Sequence, residues 1–139
     1  MAILFFQEDI RFDLKPKNRF KSWLRNIATS EGFSIKDLNY IFCTDEYLYN
    51  INLEYLKHDT YTDIITFDNS EKKTEIEGDI FVSIERIKDN AVNSKIEFDA
   101  ELKRVLSHGL LHLMGYSDKT KEEKNTMRLM ENKAIEMFE

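Results

Sequence analysis

A chain of 139 residues, 42% of them hydrophobic, is long enough to bury one core and too short for two. Its 20 basic and 26 acidic residues give a net charge of −6, which excludes a general polyanion binder, so any role with nucleic acid needs a local basic patch or a metal ion. The single cysteine, Cys43, excludes an internal disulfide, and neither a signal peptide nor a membrane span is recognisable. We therefore expect a soluble, cytoplasmic protein.

Stretches with strand and helix patterns alternate along the chain. Hydrophobic periodicity and capping residues predict these elements, in chain order: a strand at 3–6, a helix with Pro16 in its first turn and Gly32 at its end, a strand at 38–42, a helix capped by Thr44, a hairpin of strands 62–67 and 79–84 around a polar loop at 69–77, a short helix at 85–93, a helix at 99–114, and a last helix opened by Thr120 and Glu123. This alternation predicts a single domain over 1–139, of α/β or α+β class, with a mixed sheet of about four strands and helices packed on it.

The clearest chemical signal lies in residues 107–118, which read SHGLLHLMGYSD. His108 and His112 are four residues apart, so on a helix both imidazoles project from one face with about 6 Å of rise between them. Gly115 can end the helix, and Asp118 can then return a carboxylate to the same point. Two histidines at this spacing also occur in proteins as ordinary hydrogen-bonded side chains. The glycine and aspartate at matching offsets favour a site for one divalent metal ion.

The pattern H-x3-H-x2-G-x2-D resembles the extended zinc-peptidase motif, with one departure. The peptidases carry a glutamate after the first histidine, as the general base that accepts a proton from water, and this chain has Gly109 there. The metal scaffold is therefore predicted without the protease base. Hydrolysis of small molecules on this scaffold stays open, and an apolar pocket beside the metal would favour it.

The stretch HGLLHLMGY also resembles the YbeY family, the bacterial endoribonucleases of rRNA maturation with the zinc-binding motif H-G-x-L-H-L-x-G-Y-D-H. Residues 52–67, NLEYLKHDTYTDIITF, resemble the family segment N-x-x-Y-R-x-x-D-x-P-T-D-V-L-S-F, and residues 78–80 resemble its G-D-I strand start. The resemblance covers roughly residues 45–120. It implies a small α/β domain around a metal cleft, and metal-dependent cleavage of single-stranded RNA in rRNA maturation and ribosome quality control. The implied partners are rRNA and a ribosomal subunit or ribosomal proteins.

Carried over by position, His108 and His112 match the first two zinc ligands of the family. The third family histidine falls on Asp118, and Ser117 stands where the family has aspartate. A carboxylate is an acceptable zinc ligand, but it lowers the net positive charge of the site. We expect Zn²⁺, with manganese, iron or nickel as competitors. Such an ion would either activate a water or polarise the phosphodiester toward attack by the 2′-hydroxyl of the RNA.

Upstream, the family arginine proposed to act on the phosphate falls on Leu56, and Tyr61 replaces a family proline. Lys57 is then the best candidate neighbour for a phosphate, although its ammonium cannot form the bidentate pair of an arginine. His58 either approaches the metal or the RNA, or is a solvated loop residue. Asp79 either orients a metal-binding histidine or caps a turn.

The sequence thus favours a metal-dependent endoribonuclease. The alternative is a non-catalytic factor that binds the ribosome and holds a structural metal, and the missing arginine and the acidic charge favour it. A fourth coordination position closed by a protein group such as His58 would support that alternative, because catalytic zinc keeps an open position.

Overall fold

Four strands form one sheet in the computed structural model, which describes residues 2–138. They are β1 (Ala2–Glu8), β2 (Ser34–Cys43), β3 (Ile64–Asp68) and β4 (Glu75–Ser83). Their order across the sheet is β1-β2-β4-β3, with β1, β2 and β4 parallel and β3 antiparallel to β4. The predicted hairpin is therefore confirmed, and the mixed sheet of an α+β fold with it.

Residues 2–138 also form five helices: α1 (Lys17–Ser30), α2 (Asp45–Leu56), α3 (Ile84–Ser94), α4 (Phe98–Leu113) and α5 (Lys121–Glu136). α1, α2 and α4 contact the sheet, and α3 and α5 pack mainly against α4. Thr44 and Ser83 cap α2 and α3, since each hydroxyl accepts from a free backbone N–H of the first turn. Thr120 and Glu123 form a complete capping box at the start of α5. Among residues 2–138, the helices are all too short or too polar to cross a bilayer.

Every predicted helix and strand is present, but some ends differ from the prediction. β4 starts at Glu75 and not at residue 79, because Ile76 and Ile80 are buried while Glu77 and Asp79 point to the other, half-exposed face. The predicted polar loop at 69–77 is therefore too long, and the connection between the two strands spans only residues 69–74. At α1 the helix begins one residue after Pro16, which serves as its N-cap.

α4 lies closely against the sheet, and a glycine permits the approach. A Cβ on Gly109 would lie 2.7 Å from Ile64 Cδ1 and 3.0 Å from Ile80 Cγ2. Leu106 and Leu110, on the same helix, are fully buried in the main core. Because α4 lies this close to the sheet, its two histidines lie beside the N-terminal end of β3.

Candidate metal site

The last turns of α4 and the segment after it bring three predicted ligands together. The rings of His108 and His112 stand with centroids 4.5 Å apart and nearly perpendicular. α4 ends at Leu113, and Gly115 turns the chain with a φ of +102°, in the left-handed region that favours glycine. Asp118 Oδ2 then lies 3.2 Å from His108 Nε2 and 3.4 Å from His112 Nε2. The candidate ligand atoms of the three residues all lie within 4.8 Å of one another.

The outer nitrogens of both rings have acceptor partners, which determine the tautomers. His112 Nδ1 is 2.9 Å from the backbone carbonyl oxygen of Tyr116, and a carbonyl can only accept, so Nδ1 carries the proton. His108 Nδ1 is 2.5 Å from Glu131 Oε2, a carboxylate oxygen that accepts in the same way. In the neutral rings both Nε2 atoms then present lone pairs toward the Asp118 carboxylate. Three acceptors that converge in this way form a group that can hold a divalent cation.

Glu131, on α5, is the functional residue that the sequence interpretation missed. It is only 5% exposed, and its second oxygen accepts a hydrogen bond from Arg104 Nη1 at 2.9 Å. Burial raises the pKa of Glu131, but hydrogen bonds from His108 and Arg104 outweigh burial and leave that pKa below its usual value. Burial lowers the pKa of His108, while Glu131 and the nearby acidic groups raise it to a net value above the ordinary one. Its position in the sequence could have indicated this role, because a glutamate on the buried stripe of α5, between Met127 and Ala134, needs a partner for its charge.

The three ligand candidates open into a cleft of about 440 Å³, called the metal cleft below. Its other walls come from the end of α2, the following loop and β3, and the residues beyond the three candidates are Asn52, Leu56, His58, Thr60, Thr62, Asp63, Ile64, Ile65 and Thr66. Most of these side chains are polar. The metal cleft is therefore suited to a polar substrate.

The two predicted catalytic residues occupy different positions. His58 lines the metal cleft, although its ring is not among the ligand atoms that cluster within 4.8 Å in the described chain. Lys57 ends α2 in a left-handed conformation, is exposed, and is not part of the cleft lining. Leu56, at the position of the family arginine, does line it.

Two aspartates near the site differ from their sequence interpretation. Asp79 accepts a hydrogen bond from Asn39 Nδ2 at 2.9 Å across the paired strands β2 and β4, so it neither orients a histidine nor caps a turn. Asp63, expected to start a strand, immediately precedes β3 and lines the metal cleft. Burial is the largest cause that raises the pKa of Asp63, and the charge of His108 opposes it.

Comparison with known proteins identifies the family. A family model described as Endoribonuclease YbeY matches residues 3–139, well beyond the segment in which motifs are recognisable by eye. Proteins named Endoribonuclease YbeY from Cytophaga hutchinsonii and Christiangramia forsetii are 54% and 49% identical to the chain, each over 98% of it and over 95% and 94% of their own lengths. A Thermotoga maritima protein solved in solution superposes with a TM-score of 0.69 at 25% identity, over 99% of this chain and 89% of its own. The chain belongs to the YbeY family of endoribonucleases.

Proposed function

We propose that this protein is a metal-dependent endoribonuclease that cleaves single-stranded RNA, and that His108, His112 and Asp118 hold its metal ion. We propose further that its substrates are rRNA precursors and defective rRNA on the ribosomal subunit, in the cytoplasm. Family membership supports the activity. The observation that carries the site is the convergence of two Nε2 lone pairs on one Asp118 oxygen at the mouth of the cleft.

Zinc is the proposed ion because the donor set suits it. Two imidazoles and one carboxylate are ordinary zinc ligands, and three protein ligands are the number that catalytic zinc sites use. A divalent ion at this point supplies Lewis-acid chemistry to a water or a phosphodiester. The carboxylate of Asp118 reduces the net charge of the site, so manganese or iron compete better here than at a site of three histidines.

The residues around the ligands position them and shape the cleft. Glu131 and the Tyr116 carbonyl hold the two imidazoles in the tautomer that directs Nε2 inward. On the opposite wall, the buried Asn52 donates from Nδ2 to the carbonyl oxygen of Thr60 at 2.9 Å. This hydrogen bond fixes the loop that carries His58, which we keep as a candidate for contact with the RNA.

The competing functions have less support. A non-catalytic ribosome factor with a structural metal is disfavoured, because the curated relatives are named endoribonucleases. A peptidase needs a glutamate at position 109, where even a Cβ would lie 2.7 Å from Ile64 Cδ1. Hydrolysis of apolar small molecules fits poorly with the mostly polar walls of the metal cleft.

The direct test is cleavage of a single-stranded RNA oligonucleotide by the zinc-reconstituted protein, with a duplex of the same sequence for comparison. We expect cleavage of the single strand only, loss of cleavage with a chelator, and loss in the His112→Ala and Asp118→Ala variants. Asp89→Ala, an exposed aspartate on α3, is the matched control and should behave as wild type. Metal-independent cleavage, or equal activity in wild type and His112→Ala, would reject the proposal.

A further inference from the structure

The metal cleft continues into a groove beneath α4 and α5. A smaller cavity of about 160 Å³ adjoins the metal cleft, and the residues common to both are Asp63, Ile64 and His108. A third cavity of about 370 Å³ follows, and the residues common to the second and third are Glu101, Arg104 and Arg128. We call the second and third cavities together the side groove. It leads away from His108 toward the junction of α3 and α4.

Positive charge is distributed unevenly along this path. Within the described chain, no lysine or arginine lines the metal cleft, whereas the side groove has two arginines. Arg104 is already engaged, because its guanidinium binds Glu131 and the Asn132 side-chain oxygen, both at 2.9 Å. Arg128 is exposed and takes part in no ion pair of residues 2–138. Of the two arginines in the side groove, Arg128 is therefore the one whose guanidinium is available to bind an anion.

The far end of the side groove carries neutral hydrogen-bonding groups. Asn90, Asn93 and Ser94, from the end of α3, line it together with Arg128. Amide and hydroxyl groups with a free guanidinium are the usual contacts to the phosphates and sugars of a nucleic-acid backbone. Three acidic residues also line the side groove: Glu101 at this far end, and Asp63 and Glu131 nearer the metal cleft. Glu131 is paired with Arg104, whereas the charge of Glu101 opposes an anion at the far end.

We propose that the side groove is a binding subsite for the RNA backbone, in which Arg128 contacts a phosphate beyond the nucleotide that reacts at the metal. The inference rests on the proposed function, since it requires that the RNA strand passes His108. An arginine suits this task because its planar guanidinium can donate two hydrogen bonds to one phosphate. Arg128 thus supplies a cationic contact to the backbone that the metal cleft, with no lysine or arginine in its described lining, does not.

The experiment measures cleavage of a long and a very short single-stranded oligonucleotide by zinc-loaded wild type, Arg128→Gln and Arg11→Gln. Arg11 is an exposed arginine that lines neither the metal cleft nor the side groove. Arg11→Gln is therefore a control that loses the same single positive charge away from the proposed subsite. For Arg128→Gln we expect a KM about fivefold to tenfold higher on the long RNA, with kcat and the short substrate unchanged. The slope of log(kcat/KM) against log salt should become shallower by about 0.7. Glu101→Gln should change KM on the long RNA in the opposite direction.

Two outcomes would overturn the inference while the proposed function survives. One is equal behaviour of Arg128→Gln and Arg11→Gln on the long RNA. The other is a loss on the short substrate as large as on the long one, which would place Arg128 at the reacting nucleotide. Failure of the proposed function is distinct: wild type would cleave nothing. The subsite can then be judged by fluorescence anisotropy with a 2′-O-methyl oligonucleotide, where an Arg128-dependent loss of affinity supports it and no such loss rejects it.

Discussion

At the residue scale, the contact between His108 and Glu131 determines which ring nitrogen of His108 faces the proposed metal ion. The Glu131 carboxylate accepts from His108 Nδ1, so the ring cannot turn or change tautomer without losing a buried, charge-assisted hydrogen bond. Arg104 holds the other oxygen of the same carboxylate. Together, the three side chains keep His108 Nε2 directed at Asp118 before any ion arrives, which lowers the entropic cost of binding.

We therefore predict that Glu131→Gln weakens zinc binding about 10-fold to 100-fold, in the range seen when such supporting partners are removed. Glutamine keeps the volume of the side chain but removes the charge that makes the imidazole a better donor to the metal. A competition titration against a chromophoric chelator measures the affinity. Glu71→Gln, in the exposed loop between β3 and β4, is the control for loss of one negative charge. Wild-type affinity in Glu131→Gln would mean that Glu131 serves the fold alone.

The proposed ligands could be predicted from sequence because they lie close together along the chain. A helix repeat of four residues and a glycine turn are local features, and they are enough to bring Asp118 back to His108. Glu131 is twenty-three positions from His108, and its role depends on how α5 packs against α4. No local pattern specifies that packing, and the one signal in the sequence is a glutamate on the same stripe of α5 as the buried Met127 and Ala134.

At the element scale, α4 and β4 approach their neighbours so closely that a Cβ at either of two glycines would crowd a neighbouring atom. A Cβ on Gly78 would lie 2.6 Å from the carbonyl oxygen of Phe67, on the paired strand β3. At Gly109 the nearest atoms are side-chain methyl groups of isoleucines, which can shift more easily. Sequence patterns place both glycines in their elements but say nothing about these distances. The sequence prediction places the start of β4 too late for the same reason, because its half-exposed acidic face resembles a loop when its pairing with β2 is not known.

These distances predict an order of stabilities. Gly78→Ala should lower the free energy of unfolding by about 2–3 kcal/mol, because a backbone oxygen can move only if the hairpin moves. Gly109→Ala should lose only about 1 kcal/mol, since the strain at the isoleucines is partly offset by the higher helix propensity of alanine. Urea denaturation measures both, and Asn125→Ala on the exposed face of α5 is the control. Equal stabilities of Gly78→Ala and wild type would contradict the close approach.

At the scale of the whole molecule, the accessibility of the Cys43 thiol to an alkylating reagent measures how often the structure opens. It is fully buried at the end of β2, between β1 and β4 in the sheet. Burial is the largest cause that raises the pKa of the Cys43 thiol to about 12, and the acidic groups nearby act in the same direction. At pH 8 a pKa of about 12 leaves roughly one thiol in ten thousand ionised, and the thiolate is the form that reacts. Alkylation of the native protein therefore requires the molecule to open.

We predict that iodoacetamide labels Cys43 slowly in the native protein, rapidly in urea, and more slowly still when zinc is present. A ligand that binds only the folded state stabilises it by RT ln(1 + [L]/Kd), so zinc at about 100 times its Kd should slow labelling about 100-fold if opening is global. Mass spectrometry measures the rate. In His112→Ala the zinc effect should disappear while the slow labelling without metal remains, because Cys43 lies in a different part of the core. Labelling that zinc leaves unchanged in wild type would show that the site and the sheet open independently, or that the three ligands bind no ion.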